Sequence, residues 1–168
     1  MPITPFHFGP GAAIKAAAPS YFSFTVFCFA QVVTDCETAY YLFQGMYPVH
    51  RFFHTYLGAT FVGFGSLIIG RPLCQWALRI LNGWRDGSAN SDIPIRSAVA
   101  GAFIGTYSHV FLDSIMHPDI LPLMPFSPAN PLRGIVSLYT LHLSCLILGC
   151  LGVIGLAIRS KTKPSKPL

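Results

Sequence analysis

Residues 105–119, with the sequence GTYSHVFLDSIMHPD, constrain the fold of this chain more than any other stretch. Within it, His109, Asp113 and His117 recur at every fourth position after a run of small and apolar residues. On a helix this spacing places the three side chains on one face, with neighbouring Cβ atoms about 5–6 Å apart. Because imidazole and carboxylate groups are costly to bury on an apolar helix, the pattern predicts a helix whose polar face serves a binding site.

The composition of the chain favours a membrane environment for this helix. Apolar residues make up 52% of the 168 residues and charged residues only 10%, with a mean hydropathy of +0.54. A soluble protein of average composition carries about 25% charged residues. The chain has too few charged groups to cover a surface exposed to water, and we therefore predict an integral membrane protein.

Four apolar segments are long enough to cross a bilayer, which takes about 20 residues of helix. They cover residues 21–43, 52–70, 95–117 and 134–158. A further helical stretch at residues 11–18 is too short to span, because a helix rises only about 1.5 Å per residue. The predicted fold is all-α: one domain over residues 1–158, with a bundle of about four transmembrane helices and a short N-terminal helix.

Residues 71–85 differ from these segments because they combine an apolar face with a basic one. The apolar positions are Leu73, Trp76, Ala77, Ile80, Leu81 and Trp84, and the polar positions are Arg71, Gln75, Arg79, Asn82 and Arg85. A basic amphipathic helix with tryptophans is typical of the interface between lipid and water. We predict an interfacial helix here, although a helix packed on a soluble core would show the same pattern.

The net charge of +5 is concentrated in two places, residues 71–96 and residues 159–166, whereas residues 44–50 hold no lysine or arginine. This distribution fits the positive-inside rule better than a nucleic-acid-binding face, and no nucleic-acid partner is predicted. Both termini are therefore expected in the cytoplasm, with the regions around His50 and His117 near the outer face. Residues 159–168 are predicted to form a basic cytoplasmic tail that binds anionic lipid.

A second pair of histidines, His50 and His54, repeats the four-residue spacing. Helices offer such pairs to zinc, although the spacing also arises by chance. A buried Asp113 needs a counter-charge, which a metal ion supplies, and Asp35 would lie at the same membrane face. The three segments are predicted to converge on a metal site, with a purely structural polar network as the alternative.

The candidate ligands offer nitrogen and oxygen atoms and no positioned thiolate. This set favours zinc, with manganese and iron as alternatives, and it has enough members for one or two divalent ions. Arg51 adjoins the ligands and has a planar guanidinium that suits phosphate or carboxylate; its alternative role is to pair with Asp35 or Glu37. Asp35 and Asp113 are candidates for catalytic base as well as for ligand.

Four motifs occur in order along the chain: TPFH at residues 4–7, an Asp at position 35, HRFFHT at residues 50–55 and GTYSHVFLD at residues 105–113. This ordered set resembles the membrane-bound metal-dependent hydrolases, which are small inner-membrane proteins of bacteria and archaea. The resemblance implies a location in a prokaryotic inner membrane and a set of metal positions that comprises His7, Asp35, His50, His54, His109 and Asp113. His117 and Asp119 lie outside the pattern and rest on spacing alone.

His7 raises a question of topology. With a cytoplasmic N-terminus and a simple first span, His7 would lie on the opposite side of the membrane from the other ligands. We expect the N-terminal segment to re-enter the membrane, since irregular backbone is tolerated there where it lines a cavity. An outer N-terminus, or a His7 that is not a ligand, are the alternatives.

These observations predict a membrane-embedded metal-dependent hydrolase. Metal-activated water would attack a phosphoester or ester bond of a lipid or lipid-linked substrate. Two other classes of protein would use the same cluster: an ion or proton transport protein, and a membrane protein whose metal only holds the helices together. A catalytic site keeps an open coordination position and a structural site is closed, whereas a transporter needs access from both sides.

Overall fold

The structure, a computed structural model, describes residues 5–86 and 91–162. Within these ranges the chain forms helices and no strand, which confirms the all-α prediction. The α-helices are α1 (Phe8–Ala17), α2 (Phe24–Phe43), α3 (Tyr56–Gly65), α4 (Arg71–Asp86), α5 (Ile95–Met116) and α6 (Leu138–Thr162). Short 3₁₀ turns over Pro5–His7 and Phe52–His54 precede α1 and α3.

A π-helical segment over Ser66–Gly70 joins α3 to α4. The second predicted span and the predicted interfacial helix are therefore parts of one continuous helix, and their separation was wrong. Pro72 accounts for the π-helical segment, because in a regular α-helix its ring would clash with the carbonyl group four residues earlier. The chain widens its helix just before the proline and continues.

The two faces predicted for α4 are present, but the polar face contacts the chain itself. Arg71 Nε donates to the carbonyl oxygen of Ile93 at 2.8 Å, and Arg79 lies 3.4 Å from Asp92. The apolar residues on the other face are exposed: Leu73, Trp76, Ile80, Leu81 and Trp84. The arginines thus fix the segment before α5, while the apolar face is directed away from the protein.

Two helices of the described chain are long and apolar enough to cross a membrane: Tyr56–Trp84 with 29 residues and Leu138–Thr162 with 25 residues. The helices α2 and α5 do not meet this test. Each carries polar and ionisable residues along its length, with Gln31, Asp35 and Glu37 on α2 as the clearest case. The predicted bundle of about four spans is therefore not confirmed.

The helices α2 and α5 pack side by side and run in the same direction. Their close approach depends on glycine, since a Cβ atom on Gly105 would lie only 3.0 Å from the carbonyl oxygen of Phe27. Further along both helices, Asp35 Oδ1 reaches His109 Nε2 at 3.4 Å. Parallel packing with small residues at the contact therefore brings the polar ends of the two helices together.

The helices α1 and α6 form a second parallel pair, again through small residues. A Cβ atom on Gly152 would lie 2.4 Å from the carbonyl carbon of Ala12. Helix α1 begins at Phe8, earlier than the predicted residues 11–18, because Pro10 falls in the first turn, where backbone N–H groups have no helical partner to lose. Phe6, just before α1, stacks on His142 of α6 with ring centroids 4.6 Å apart.

This pairing shows where His7 lies relative to the other predicted ligands. Helix α6 begins beside the end of α5, where Gly134 N donates to the carbonyl oxygen of Ile115 at 3.2 Å, and α1 runs parallel to α6. The turn with His7 therefore lies at the end of the bundle where α5 ends, beside the other predicted ligands. The described chain begins and ends at opposite ends of the bundle, which does not support a common side for both termini.

The last helix differs from the prediction at both of its ends. It begins at Leu138, after a turn in which Gly134 has a φ of 70°, and it continues to Thr162. The first residues of the predicted tail, from position 159, therefore extend the helix. Residues 163–168, which contain the rest of the predicted lipid-binding tail, lie outside the described residues.

Candidate metal centre

The predicted ligands meet around the carboxylate of Asp113, near the end of α5. Its Oδ2 atom lies 3.2 Å from His109 Nε2 and 3.5 Å from His54 Nε2. Its Oδ1 atom lies 3.2 Å from His7 Nε2 and 4.0 Å from His117 Nε2. Each oxygen of Asp113 thus faces a different set of histidines.

The surrounding ligand atoms form two groups that share Asp113. The first, which we call the inner group, comprises Asp35, His54, His109 and Asp113, all buried, with one ligand atom from each lying within 4.8 Å of the others. The second, which we call the cavity group, comprises His50, Asp113 and His117 under the same distance limit. Both groups could hold a metal ion.

Buried polar atoms without a hydrogen-bond partner are concentrated in this centre. Among the described residues they are His7 Nδ1 and Nε2, Gln31 Nε2, His54 Nδ1, His109 Nε2 and Asp113 Oδ1. Leaving a buried polar atom unpaired costs about 1–3 kcal/mol. A cation coordinated by the ring nitrogens and the carboxylate would satisfy several of these atoms at once, so the residues fit a metal ion.

Two of the ligand histidines have an acceptor on Nδ1. The pairs are His109 Nδ1 with Gln31 Oε1, and His50 Nδ1 with Asp119 Oδ1 at 2.9 Å. Such partners fix the tautomer and orientation of a metal-binding imidazole, and they leave Nε2 of these two rings for coordination. His54 Nδ1 faces Glu37 Oε2 at 3.6 Å, beyond hydrogen-bond distance, and its Nε2 lies 3.5 Å from Thr38 Oγ1.

Gln31, Glu37 and Asp119 were not predicted to support ligands. For Gln31 a signal was present in the sequence, because it precedes Asp35 by four residues on α2 and so shares its face. Glu37 stood out only as a costly acid in an apolar segment. Asp119 is close to His117 in sequence, but its partner His50 lies 69 residues away, a distance at which spacing predicts nothing.

The helix predicted from residue 52 begins later, so the four-residue spacing of His50 and His54 does not place them on a helical face. His50 lies in irregular backbone and His54 ends a 3₁₀ turn, because α3 begins only at Tyr56. Thr55 sets this start as the N-cap residue, whose side chain accepts from Gly58 N at 2.9 Å. The two rings still meet, with centroids 4.7 Å apart, so the ligand pair forms without the helix.

Glu37 of α2 holds this irregular segment in position. Its Oε2 atom accepts the backbone N–H of Arg51 at 3.2 Å and that of Phe53 at 2.8 Å, and it faces the ring of His54. One carboxylate therefore satisfies two backbone donors of this irregular segment.

His117 also departs from the helical pattern. Helix α5 ends at Met116, and His117 has extended backbone with a φ of −107°. Of the three residues predicted to share a helical face, only His109 and Asp113 therefore do so. The ring of His117 instead lies beside that of His50, with centroids 4.4 Å apart, and this contact creates the cavity group.

A cavity of about 380 Å³ lies next to the cavity group. His50, Arg51 and Asp119 contribute its polar lining, and most of the rest is apolar: Pro48, Phe52, Leu57, Leu121, Met124 and Pro125. An amphiphile with a charged group and a hydrocarbon part matches this lining.

The side chain of Arg51 does not pair with Asp35 or Glu37, which was its alternative predicted role. Its guanidinium carbon lies 3.7 Å from the centroid of the Tyr41 ring, and its Nε donates to the carbonyl oxygen of Pro48 at 3.0 Å. Glu37 contacts the backbone N–H of Arg51 and not its guanidinium. Within residues 5–86 and 91–162 no carboxylate forms an ion pair with this guanidinium. Its terminal nitrogens can therefore bind an anion.

The histidines of the cavity group are held in the form that binds metal. Burial, and then the neighbouring His54, lower the pKa of His50 below its ordinary value of 6.5, although Asp119 opposes the shift. Burial likewise lowers the pKa of His117. Both shifts favour the neutral imidazole, which is the form that coordinates a cation.

Comparison with known proteins gave no match, neither to a protein-family model nor to a curated protein or a solved structure. The molecule itself defines the site as a buried cluster of histidine and aspartate that could hold a metal ion. It belongs to an all-helical protein in which two helices are able to cross a membrane.

Proposed function

We propose that the chain is a membrane-embedded metal-dependent hydrolase that acts on a phosphoester or ester bond of a lipid or lipid-linked substrate. The proposal rests on one observation: a buried cluster of potential metal ligands, several of whose polar atoms have no partner, adjoins through His50 a cavity lined by Arg51 and apolar side chains. The motifs that resemble the membrane-bound metal-dependent hydrolases, and that include His7, Asp35 and His109, support it.

The contacts of Asp113 favour two ions over one. Its Oδ2 faces His54 and His109, and its Oδ1 faces His7 and His117. A carboxylate shared in this way is the arrangement by which two-metal sites hold their ions close together. Zinc suits a donor set made mainly of imidazole, with manganese and iron as alternatives.

The residues divide the chemistry between them. A bound ion would supply a Lewis acid and lower the pKa of water to near 7. Arg51 would hold the phosphate or carboxylate of the substrate through its terminal nitrogens, while the apolar lining takes the hydrocarbon. Asp35, with one oxygen directed at His109, would complete the inner group or accept a proton, and Asp113 would serve both groups.

The proposed location is the cytoplasmic membrane of a prokaryote, as the resemblance implies, and the distribution of basic residues bears on the orientation there. The loops at the end with the metal centre contain Arg51 and Arg133. Other described basic residues lie toward the opposite end: Lys15, Arg71, Arg79, Arg96, Arg159 and Lys161. By the positive-inside rule the metal centre would face the outer side.

A structural metal site is the second candidate, because the inner group has four buried ligands and a closed four-coordinate site is typical of structural zinc. Transport is favoured less, since it requires access from both sides and the cavity at the centre is lined by the loops of one end.

The test measures hydrolysis by the full chain purified in detergent, against phospholipids and acyl esters of several head groups. We expect metal-dependent turnover that is lost in His109→Ala and retained in Asp92→Asn, an exposed acid outside the centre. Turnover that survives both chelation and His109→Ala would contradict the proposal. Stoichiometric metal without turnover on any substrate would favour the structural alternative.

A further inference from the structure

The carboxylate of Asp119 contacts both the ring of His50 and the backbone that carries it. Each of its oxygens lies 2.9 Å from His50 Nδ1. Its Oδ2 also accepts the backbone N–H groups of Val49 and His50 at 3.2 and 3.3 Å. With only 6% of its side chain exposed, Asp119 is committed to these contacts.

His50 depends on this contact more than the other ligands depend on theirs. His109 and Asp113 are fixed by α5, and His54 belongs to a 3₁₀ turn held by Glu37. His50 lies in irregular backbone, and the residues that follow α5 approach it from across the cavity. Asp119 is therefore the group that sets the direction of the His50 ring.

We propose that Asp119 is a positioning residue: it accepts from His50 Nδ1, turns Nε2 toward the cavity group, and thereby sets the affinity of the ion beside the cavity. The inner group has its own acceptor, Gln31 on His109 Nδ1, and does not contact Asp119. The two ions are thus held by separate supports. The inference rests on the metal binding of the proposed function, and hydrolysis is not part of it.

The Asp119→Asn substitution distinguishes two roles of Asp119: orienting the His50 ring, and holding the backbone of Val49 and His50. The amide oxygen of asparagine can still accept the backbone N–H groups of Val49 and His50. Its NH₂ group would replace Oδ1, the oxygen that contacts only the His50 ring, so the ring N–H loses one of its two oxygen partners and the charge of the carboxylate. Support of the backbone alone would survive this substitution, whereas the hold on the ring would be weakened.

The experiment titrates the full chain, purified in detergent and stripped of metal, with Co²⁺ by calorimetry and visible absorption. We expect two ions in the wild type. In Asp119→Asn the weaker ion should lose affinity by about 10–100-fold, the range found when a partner behind a metal ligand is removed. The tighter ion should be unchanged, and Asp92→Asn should alter neither.

A double-mutant cycle tests whether Asp119 acts through His50. In a His50→Ala background, Asp119→Asn should cause no additional loss of affinity. An equal loss in both backgrounds, or no loss in the single variant, would overturn the inference. Asp119→Glu keeps the carboxylate and is expected to retain more metal affinity than Asp119→Asn. If Asp119→Asn does not fold, Asp119→Glu is compared with Asp119→Ala instead. Equal metal affinity in these two variants would then overturn the inference.

The result for the wild type separates this inference from the proposed function. A single ion that Asp119→Asn leaves unchanged would overturn the role of Asp119, while a metal-dependent hydrolase with an inner ion would stand. Absence of any bound ion would overturn both.

Discussion

The inner group and the cavity group use the same residue types but differ in how the backbone holds them. The inner group takes Asp35 from α2 and His109 from α5, two helices locked by close packing at Gly105, and only His54 comes from a 3₁₀ turn. The cavity group takes His50 and His117 from irregular segments beside a cavity of about 380 Å³. Ligands on packed helices are fixed before a metal arrives, whereas ligands on loops require a partner such as Asp119 to hold them.

The difference suggests a division of labour. A closed set of four buried ligands retains an ion tightly, and a set that borders a cavity leaves room for a further ligand, as catalytic sites do. Asp113 belongs to both groups, so its substitution should weaken both ions. Substitution of a ligand that belongs to one group should weaken mainly the ion of that group.

The largest effect is expected for Asp113→Asn. Because one oxygen faces His109 and the other faces His7, loss of the charge should remove both ions nearly completely. Elemental analysis of the purified variant checks this, with circular dichroism to confirm that the helices remain. Retention of one full equivalent of metal would show that the groups do not share Asp113.

His109→Ala should come next, with loss of the inner ion. His109 is fully buried and contacts both Asp35 and Asp113, so its removal should weaken that ion by more than the 10–100-fold typical of a lost supporting residue. Titration with Co²⁺ measures the affinity. His142→Ala is the matched control, since His142 is the histidine that the centre does not use, and it should bind both ions.

His117→Ala should have a smaller and more selective effect. Its Nε2 lies 4.0 Å from Asp113 Oδ1, and the residue is only half-buried. We expect the ion beside the cavity to weaken by about 10–100-fold and the inner ion to be retained. Equal losses for His117→Ala and His109→Ala, measured in the same titration, would erase the distinction between the groups.

The smallest effect on metal is expected for Arg51→Lys, which should bind both ions as the wild type does. Lysine keeps the charge but loses the planar fork and its contact with Tyr41. If Arg51 holds the anionic group of the substrate, KM should rise about 10–100-fold, as expected for a lost hydrogen bond to a charged group, with little change in kcat. An unchanged KM would exclude that role.

The sequence predicted those parts of the site that depend on local periodicity. His109 and Asp113 share a helical face because four residues make about one turn, and the structure keeps them together. His7 was included through the resemblance alone, and its position depends on the pairing of α1 with α6, which the spacing of residues does not encode. The helix α3 starts later than predicted because Thr55 caps it. His50 and His54 therefore lie before the helix, and their rings meet without a shared helical face.

The supporting residues could not be predicted for a related reason. Asp119 and His50 are brought together only by tertiary packing, and the N–H groups that donate to Glu37 depend on how residues 51–53 fold. The join between α3 and α4 was missed because Arg71 and Pro72 look like the end of a helix. The π-helical segment before Pro72 avoids the clash of the proline ring with the preceding turn, and the hydropathy of the sequence does not predict such a segment.

The most direct measurement of the central claim is the number of zinc ions per chain in wild-type protein purified in detergent, counted by elemental analysis alongside His109→Ala. The account predicts two ions in the wild type and at most one in His109→Ala. A wild type without stoichiometric metal, or a His109→Ala variant with the same metal content as the wild type, would contradict it.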